Sequence, residues 1–284
     1  MHPVLFEIPT PWGGQYIYSY GVMLTLSLLM GLVIVGHFGT KKESFHQEIL
    51  ANCYVVTAVS AIVGSRILYV ITNLESFSSP IQWLDLRSGG LVAYGGFLGG
   101  ALGAASYLRL KKRPFLAFAD AAAPALAFGL SCTRVGCYLY GCDFGVRLSR
   151  NAPEWLKAIG TFPRWSQFGD RLRGSPAFIH HVDLYNLAPD ATHAYPVHPT
   201  QLYEVVAGML LLIICLIVWR RRLFRGQVIL VLALGYGVWR FFLEYIRDDP
   251  ERGAAFGFST SQLISILLVP SCALAYVQLR KATF

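Results

Sequence analysis

The chain has 284 residues, 55% of them hydrophobic and only 14% charged, with 24 Lys and Arg against 16 Asp and Glu for a net charge of +8. A mean hydropathy of +0.48 excludes an ordinary soluble domain and points to a polytopic membrane protein, in which each bilayer crossing takes about 20 apolar residues. The positive balance needs no nucleic acid, because half of the basic residues sit in short connections between apolar segments, where they set topology and suit anionic lipid head groups.

Seven apolar segments follow, near 17–38, 49–71, 91–109, 115–139, 201–219, 227–246 and 261–279. The expected fold class is an all-α polytopic membrane protein with seven transmembrane helices. Lys41 and Lys42, then Arg109, Lys111, Lys112 and Arg113, then Arg220, Arg221, Arg222 and Arg225, then Arg280 and Lys281 gather in alternate connections. The connections 73–90 and 247–260, together with the N-terminal segment, hold only Arg87, Arg247 and Arg252. That asymmetry puts the N-terminus outside and the C-terminus in the cytoplasm. Met1 to Pro9 show no cationic n-region or cleavage site, so no removable signal peptide is expected. The chain reads as a single transmembrane domain, 1–284, with 146–198 inserted as an extracytoplasmic head between helices 4 and 5.

Residues 3–16 are Pro-rich and amphipathic, which suits an interfacial segment. Tyr16 and Tyr18 fit an aromatic belt, and Tyr20 lies deeper. The second segment carries Arg66, followed by Tyr69, near its outer end, where snorkelling to the interface and a functional site are both open. The third opens with seven glycines between 88 and 103. Each costs about 1 kcal/mol of helix propensity, so they serve close backbone approach or an open site. Small-xxx-small packing accounts for Gly95, Gly99 and Gly103.

The fourth segment carries Arg134 with no acidic residue within four positions, so its counter-charge comes from elsewhere in the fold or from a ligand such as a phosphate. Cys137 and Cys142, five residues apart, share no helix face, and no histidine lies nearby, so no metal is expected. A disulfide between them requires the helix to have ended. The 146–198 connection is too long for an idle loop, and its paired His180 and His181 read as a solvated surface rather than ligands. His198-Pro199-Thr200-Gln201-Leu202-Tyr203-Glu204 opens the fifth segment, with Thr200 placed to cap the helix and Glu204 in its first turns. In the sixth, Tyr236, Arg240, Glu244 and Arg247 fall within an arc of about 80° at helical spacing, a polar stripe on an apolar helix. Arg240 and Glu244 also suit a simple i, i+4 pair.

Arg66, Arg134, Arg240, Glu204, Glu244 and Tyr20 all fall in the outer half of the bilayer in this topology. They imply a cavity for an anionic phospholipid opening to the outer leaflet.

Five patterns, Tyr20-Gly21, Gly89-Gly90 to Gly100, Arg134 to Gly145, His198 to Glu204, and Tyr236-Gly237-x-x-Arg240-Phe241-x-x-Glu244-x-x-Arg247, together resemble the phosphatidylglycerol-prolipoprotein diacylglyceryl transferases, across nearly the whole chain. The resemblance implies transfer of diacylglyceryl from phosphatidylglycerol to a prolipoprotein lipobox cysteine thiol, with release of glycerol phosphate and no cofactor. The partners it implies are phosphatidylglycerol, the prolipoprotein and membrane lipids, not nucleic acid. It suggests Arg134, Arg240, Tyr94 and Glu244 as catalytic residues. Substrate binding would draw on Tyr20, Arg66, Gly95, Gly96 and Gly99, on Cys137, Tyr138 and Gly141, and on His198, Gln201, Tyr203, Glu204, Tyr236 and Arg247. The chain departs from the family at Tyr94, where a histidine is usual, at Cys137 for asparagine and at Cys142 for glutamate. These three positions motivate an alternative, a non-catalytic or differently specific lipid-binding paralogue of the same fold. A transporter passing an anion along the arginines is a third reading, but no second copy of the glycine run or arginine stripe is present.

Overall fold

The computed structural model describes all residues except 11–12, 86–88, 166–173, 249–252 and 284. Arg87 and Arg252, Ser88 at the start of the glycine run, Asp249 and Pro250 beyond the arginine stripe, and 166–173 of the expected head lie outside the described residues.

The protein is mostly helical. Among the described residues, six helices are long and apolar enough to cross a membrane: α1 (Ser19–Glu43), α2 (Gln47–Thr72), α4 (Phe115–Tyr140), α7 (Thr200–Arg220), α8 (Gln227–Leu243, counted on through Ile246) and α9 (Thr260–Thr283). Six of the seven expected segments correspond to them, and the protein is a multi-pass membrane protein. The remaining segment forms α3 (Ala93–Leu110), only 18 residues long and so about 27 Å. It starts late because Gly89 and Gly90 take φ of +81° and +82°, a left-handed conformation that glycine alone adopts freely, and Val92 is still extended. Between the long helices lie two short ones, α5 (Glu154–Ile159) and α6 (Pro176–Tyr185).

Within residues 3–16, expected as an interfacial segment, the described residues pair as two antiparallel strands. Strand β1 (Val4–Thr10) pairs with β2 (Gly13–Tyr18), and the Ser19 amide bonds the Pro3 carbonyl at 2.8 Å to start α1. Leu5, Phe6 and Ile8 stay exposed on it. A second, two-residue pair, β3 (Ala254–Ala255) with β4 (Phe258–Ser259), precedes α9.

The chain divides into two compact units, Leu32–Ala122 and the remainder. In the first, α2 and α3 pack backbone to backbone. A Cβ on Gly64 would run into the Gly95 carbonyl, one on Gly95 into the Gly64 carbonyl, and one on Gly99 into the Ser60 carbonyl. Gly95 and Gly99 are therefore packing residues here, while a Cβ on Gly96 would meet the Ser65 hydroxyl. Arg66 is buried, only 6% exposed. Its guanidinium donates to the carbonyls of Gln82 (2.8 Å), Trp83 (2.7 Å), Gly89 (2.7 Å) and Gly90 (3.1 Å). It thus staples the segment between α2 and α3, whose backbone carbonyls would otherwise go unmet. Tyr94 stands half-buried in the first turn of α3.

In the other unit, α4 and α7 approach closely at Ser131 and Gly208. The Ser131 hydroxyl donates to the Val205 carbonyl at 3.2 Å, and any side chain at 208 would strike it. One turn beyond this contact on α4 lies Arg134, and one turn before Gly208 on α7 lies Glu204. The residues after α4 form a small lobe with its own apolar core, Phe144, Phe162, Ala177, Phe178, Leu187, Ala194 and Val197.

Candidate active site

Helix α4 stops at Tyr140 because Gly141 turns the backbone at φ +83° and Asp143 follows at φ +58°, the left-handed geometry of a helix end. The turn brings Asp143 back over the last helical turns, where its Oδ2 takes Arg134 Nη1 at 2.6 Å. Arg134 Nε pairs with Glu204 Oε2 at 2.7 Å. The counter-charges that Arg134 requires are thus supplied by the fold, one from each side.

Glu204, fully buried, is the hub. Its carboxylate also lies 3.8 Å from Arg240 Nη1 and 3.9 Å from Arg247 Nη1. Arg240 Nη2 pairs with Glu244 at 2.9 Å, as the i, i+4 spacing allows, and reaches the Ser261 hydroxyl at 3.1 Å on the first turn of α9. The second Asp143 oxygen accepts from Arg247 Nη2. Helix α8 was expected to carry all of Tyr236, Arg240, Glu244 and Arg247 as one stripe, but it ends at Leu243. Glu244–Ile246 tighten into a 3₁₀ turn, and Arg247 is already extended. Arg247 reaches the cluster through a small ladder instead: Val146 N–H to Ile246 O (2.8 Å), Asp248 N–H to Phe144 O (3.2 Å) and Gly145 N–H to His198 O (2.9 Å).

Three arginines therefore face three carboxylates, Asp143, Glu204 and Glu244. The expected surplus of cations is corrected by Asp143, which the sequence reading left out of the site. Burial alone would raise its pKa, but the guanidiniums of Arg134 and Arg247 overcome that and hold the carboxyl well below the usual carboxylate range. Asp143 is thus ionised at any working pH and too weak a base to take a proton. Its chemistry is to orient guanidiniums.

The turn is fixed from α7. Thr200 does not cap the helix, since Pro199 precedes the first turn without a side-chain bond. Its hydroxyl donates to the Asp143 carbonyl at 2.6 Å, and the Gln201 amide donates to the Cys142 carbonyl. His198 Nδ1 and the Tyr203 hydroxyl lie 3.2 Å apart beside it. Tyr20 packs on α4, where a Cβ at Gly136 would sit 3.1 Å from its ring. Tyr236 is half-buried one turn before Arg240. Tyr138 points to the lobe, its hydroxyl on the Ile159 carbonyl at 2.9 Å and its ring against Phe162. Gly141 serves the turn, with Phe162 and Ser175 within 3.0 Å of where a Cβ would stand.

Because the helix has ended, Cys137, Cys142 and Asp143 come together, with their sulfur and oxygen atoms all within 4.8 Å. All six cysteines are free thiols.

The lobe histidines are not a solvated surface. His181 is fully buried and its Nδ1 accepts the Tyr195 amide at 3.1 Å. Burial first, then His180 and Arg147, push it down to about 4, against a smaller opposing pull from Asp248. A histidine held below its unfolded value of about 6.5 contributes stability above that value and loses it as pH falls toward about 4. Hydrogen-exchange protection factors of the α6 amides, corrected for intrinsic rates, should therefore fall between pH 7 and pH 4.5 in the wild-type protein and change little in His181→Asn. Equal wild-type protection at both pH values would contradict this.

The prolipoprotein diacylglyceryl transferase family model matches residues 3–278. A phosphatidylglycerol–prolipoprotein diacylglyceryl transferase of Clostridium tetani (strain Massachusetts / E88) is 29% identical over 269 residues, covering 95% of this chain and 94% of the relative. The transferase 2 of Clostridium perfringens (strain 13 / Type A) is 31% identical over 265 residues, covering 93% and 91%. With a match that runs through every element of the arginine and carboxylate cluster, the chain belongs to the prolipoprotein diacylglyceryl transferase family.

Proposed function

We propose that the protein transfers the diacylglyceryl group of phosphatidylglycerol to the lipobox cysteine thiol of a prolipoprotein, forming a thioether and releasing glycerol phosphate. The observation that carries this reading is the pre-oriented set of Arg134, Arg240 and Arg247 in a chain that matches the family from end to end. The cysteine sulfur attacks the glyceryl carbon that bears the phosphate ester. A C–S bond forms as the C–O bond breaks, and its electron pair leaves on the phosphate oxygen.

Guanidiniums aimed at that oxygen stabilise the charge as it develops, and they need no reorganisation because carboxylates already hold them. Arg134 and Arg240 take the departing phosphate, and Glu244 positions Arg240. The thiol needs little help to ionise. With an ordinary value of about 8.5, several per cent is thiolate near pH 7.5, so transfer does not require a histidine at position 94, where this chain has tyrosine. Tyr20, Cys137, Gln201, Glu204, Tyr236 and Arg247 line the head-group site, with His198 and Tyr203 at its edge.

The same reading makes α3 the third of seven crossings in one transmembrane domain. It puts the N-terminal strand pair and the 146–198 lobe outside a bacterial plasma membrane and the C-terminus in the cytoplasm. What supports it is the concentration of Lys and Arg in alternate connections.

The test is purified protein in detergent with phosphatidylglycerol and a lipobox peptide, followed by mass spectrometry. The diacylglyceryl thioether and free glycerol phosphate are expected in equal amounts. Lipid binding with neither product would overturn the reading.

A further inference from the structure

Cys137 and Cys142 stand where the proposed chemistry has no need of two thiols. Cys137 is buried near the end of α4, and Cys142 is partly exposed on the turn that follows. The Cys142 amide donates to the Cys137 carbonyl at 3.2 Å, which folds the turn back on the helix. Their sulfurs lie within 4.8 Å of one another and of an Asp143 oxygen. Arg134 Nη1 is 3.9 Å from Cys137 Sγ, and Cys142 Sγ is 3.9 Å from Asp143 Oδ2.

We propose that Cys137 and Cys142 are a reversible dithiol/disulfide site, oxidised by exchange with an external disulfide, whose closure disables the arginine cluster. The proposal rests on the reading that puts this end of α4 on the outer side of the membrane, where disulfides persist. The two sulfurs already lie within 4.8 Å of one another, so closure asks for a local twist of the turn rather than refolding.

The exposed Cys142 thiolate attacks one sulfur of the external disulfide and expels the first thiolate. Cys137 then attacks the Cys142 sulfur of the mixed disulfide and expels the second thiolate. Two cysteine thiols and one external disulfide become one internal disulfide and two external thiols.

A metal ion is the weaker occupant. Both oxygens of Asp143 are engaged by Arg134 and Arg247, so a cation there would face two guanidiniums. Closure would draw Cys142 away from Asp143 and twist a turn that Thr200 and Gln201 clamp by its carbonyls. Asp143 would then lose its register on Arg134 and Arg247.

Full-length protein in detergent is equilibrated with glutathione disulfide or with dithiothreitol, alkylated, digested and mapped by mass. The expected result is a 137–142 disulfide in the oxidised sample that dithiothreitol removes, with transfer at least tenfold slower in the oxidised form. In Cys142→Ser, the ratio of oxidised to reduced rates should return to one. Both thiols remaining alkylatable, a disulfide mapped to another pair, or equal rates in the two forms would overturn the proposal. Mapping does not depend on turnover, so an internal disulfide without transfer in either form would count against the functional reading and leave the site itself standing.

Discussion

Arg134→Ala is expected to slow diacylglyceryl transfer by roughly two to three orders of magnitude, the loss typical of removing one donor aimed at a developing oxyanion. Its guanidinium is shared between Asp143 at 2.6 Å and Glu204 at 2.7 Å, which fixes its plane before any lipid arrives. Arg134→Lys keeps the charge but offers a single ammonium where two carboxylates and a phosphate require a planar fork. It should recover only a small part of the rate. The check is initial rate in the lipobox-peptide assay, with membrane insertion measured separately. A rate within a few-fold of wild type for Arg134→Ala would remove this residue from the mechanism.

Glu204→Ala is expected to be the most destabilising single change in the site. The carboxylate is fully buried and faces three arginines. Breaking a buried ion network by deleting one member costs about 3–5 kcal/mol, because the partners stay buried without compensation. The fraction of protein surviving a heat step in detergent should fall well below wild type. Glu204→Gln preserves the volume and removes only the charge, leaving three arginines against Asp143 and Glu244. That variant should bind phosphatidylglycerol more tightly and turn over more slowly, since product phosphate meets one uncompensated cation. Unchanged heat survival in Glu204→Ala would show that the hub contributes no stability.

The residues most legible in the sequence were those that break a rule of membrane helices. Arg134, Arg240, Glu204 and Glu244 are ionisable groups in apolar segments, and such groups are rarely idle. Asp143 escaped notice because its role depends on a left-handed turn after Gly141, which no helical periodicity reports. Arg66 carries the same outward signal as Arg134, yet its partners are backbone carbonyls, and charge patterning is blind to those. Arg247 fell on the expected stripe although the helix had ended, so the site it joins is reached by a different backbone path. His181 reads as polar in the sequence, but its burial depends on Phe144 and Tyr195, which reach it only once the lobe has folded. The N-terminal strands lacked a strong alternating pattern, and their pairing is held mainly by backbone bonds.

The order in which the partners of Arg134 are made has a consequence for biogenesis. Glu204 belongs to a part of the chain synthesised long after α4, whereas Asp143 emerges from the ribosome almost at once. An unpaired arginine costs up to about 2.5–3.5 kcal/mol on insertion, the figure for a helix centre, and Arg134 sits within two turns of the end of α4. Asp143 is the carboxylate at hand to offset that cost while α7 and α8 are still untranslated. The nascent helix can thus be handed to lipid with a provisional partner, and Glu204 completes the set when its own helix arrives.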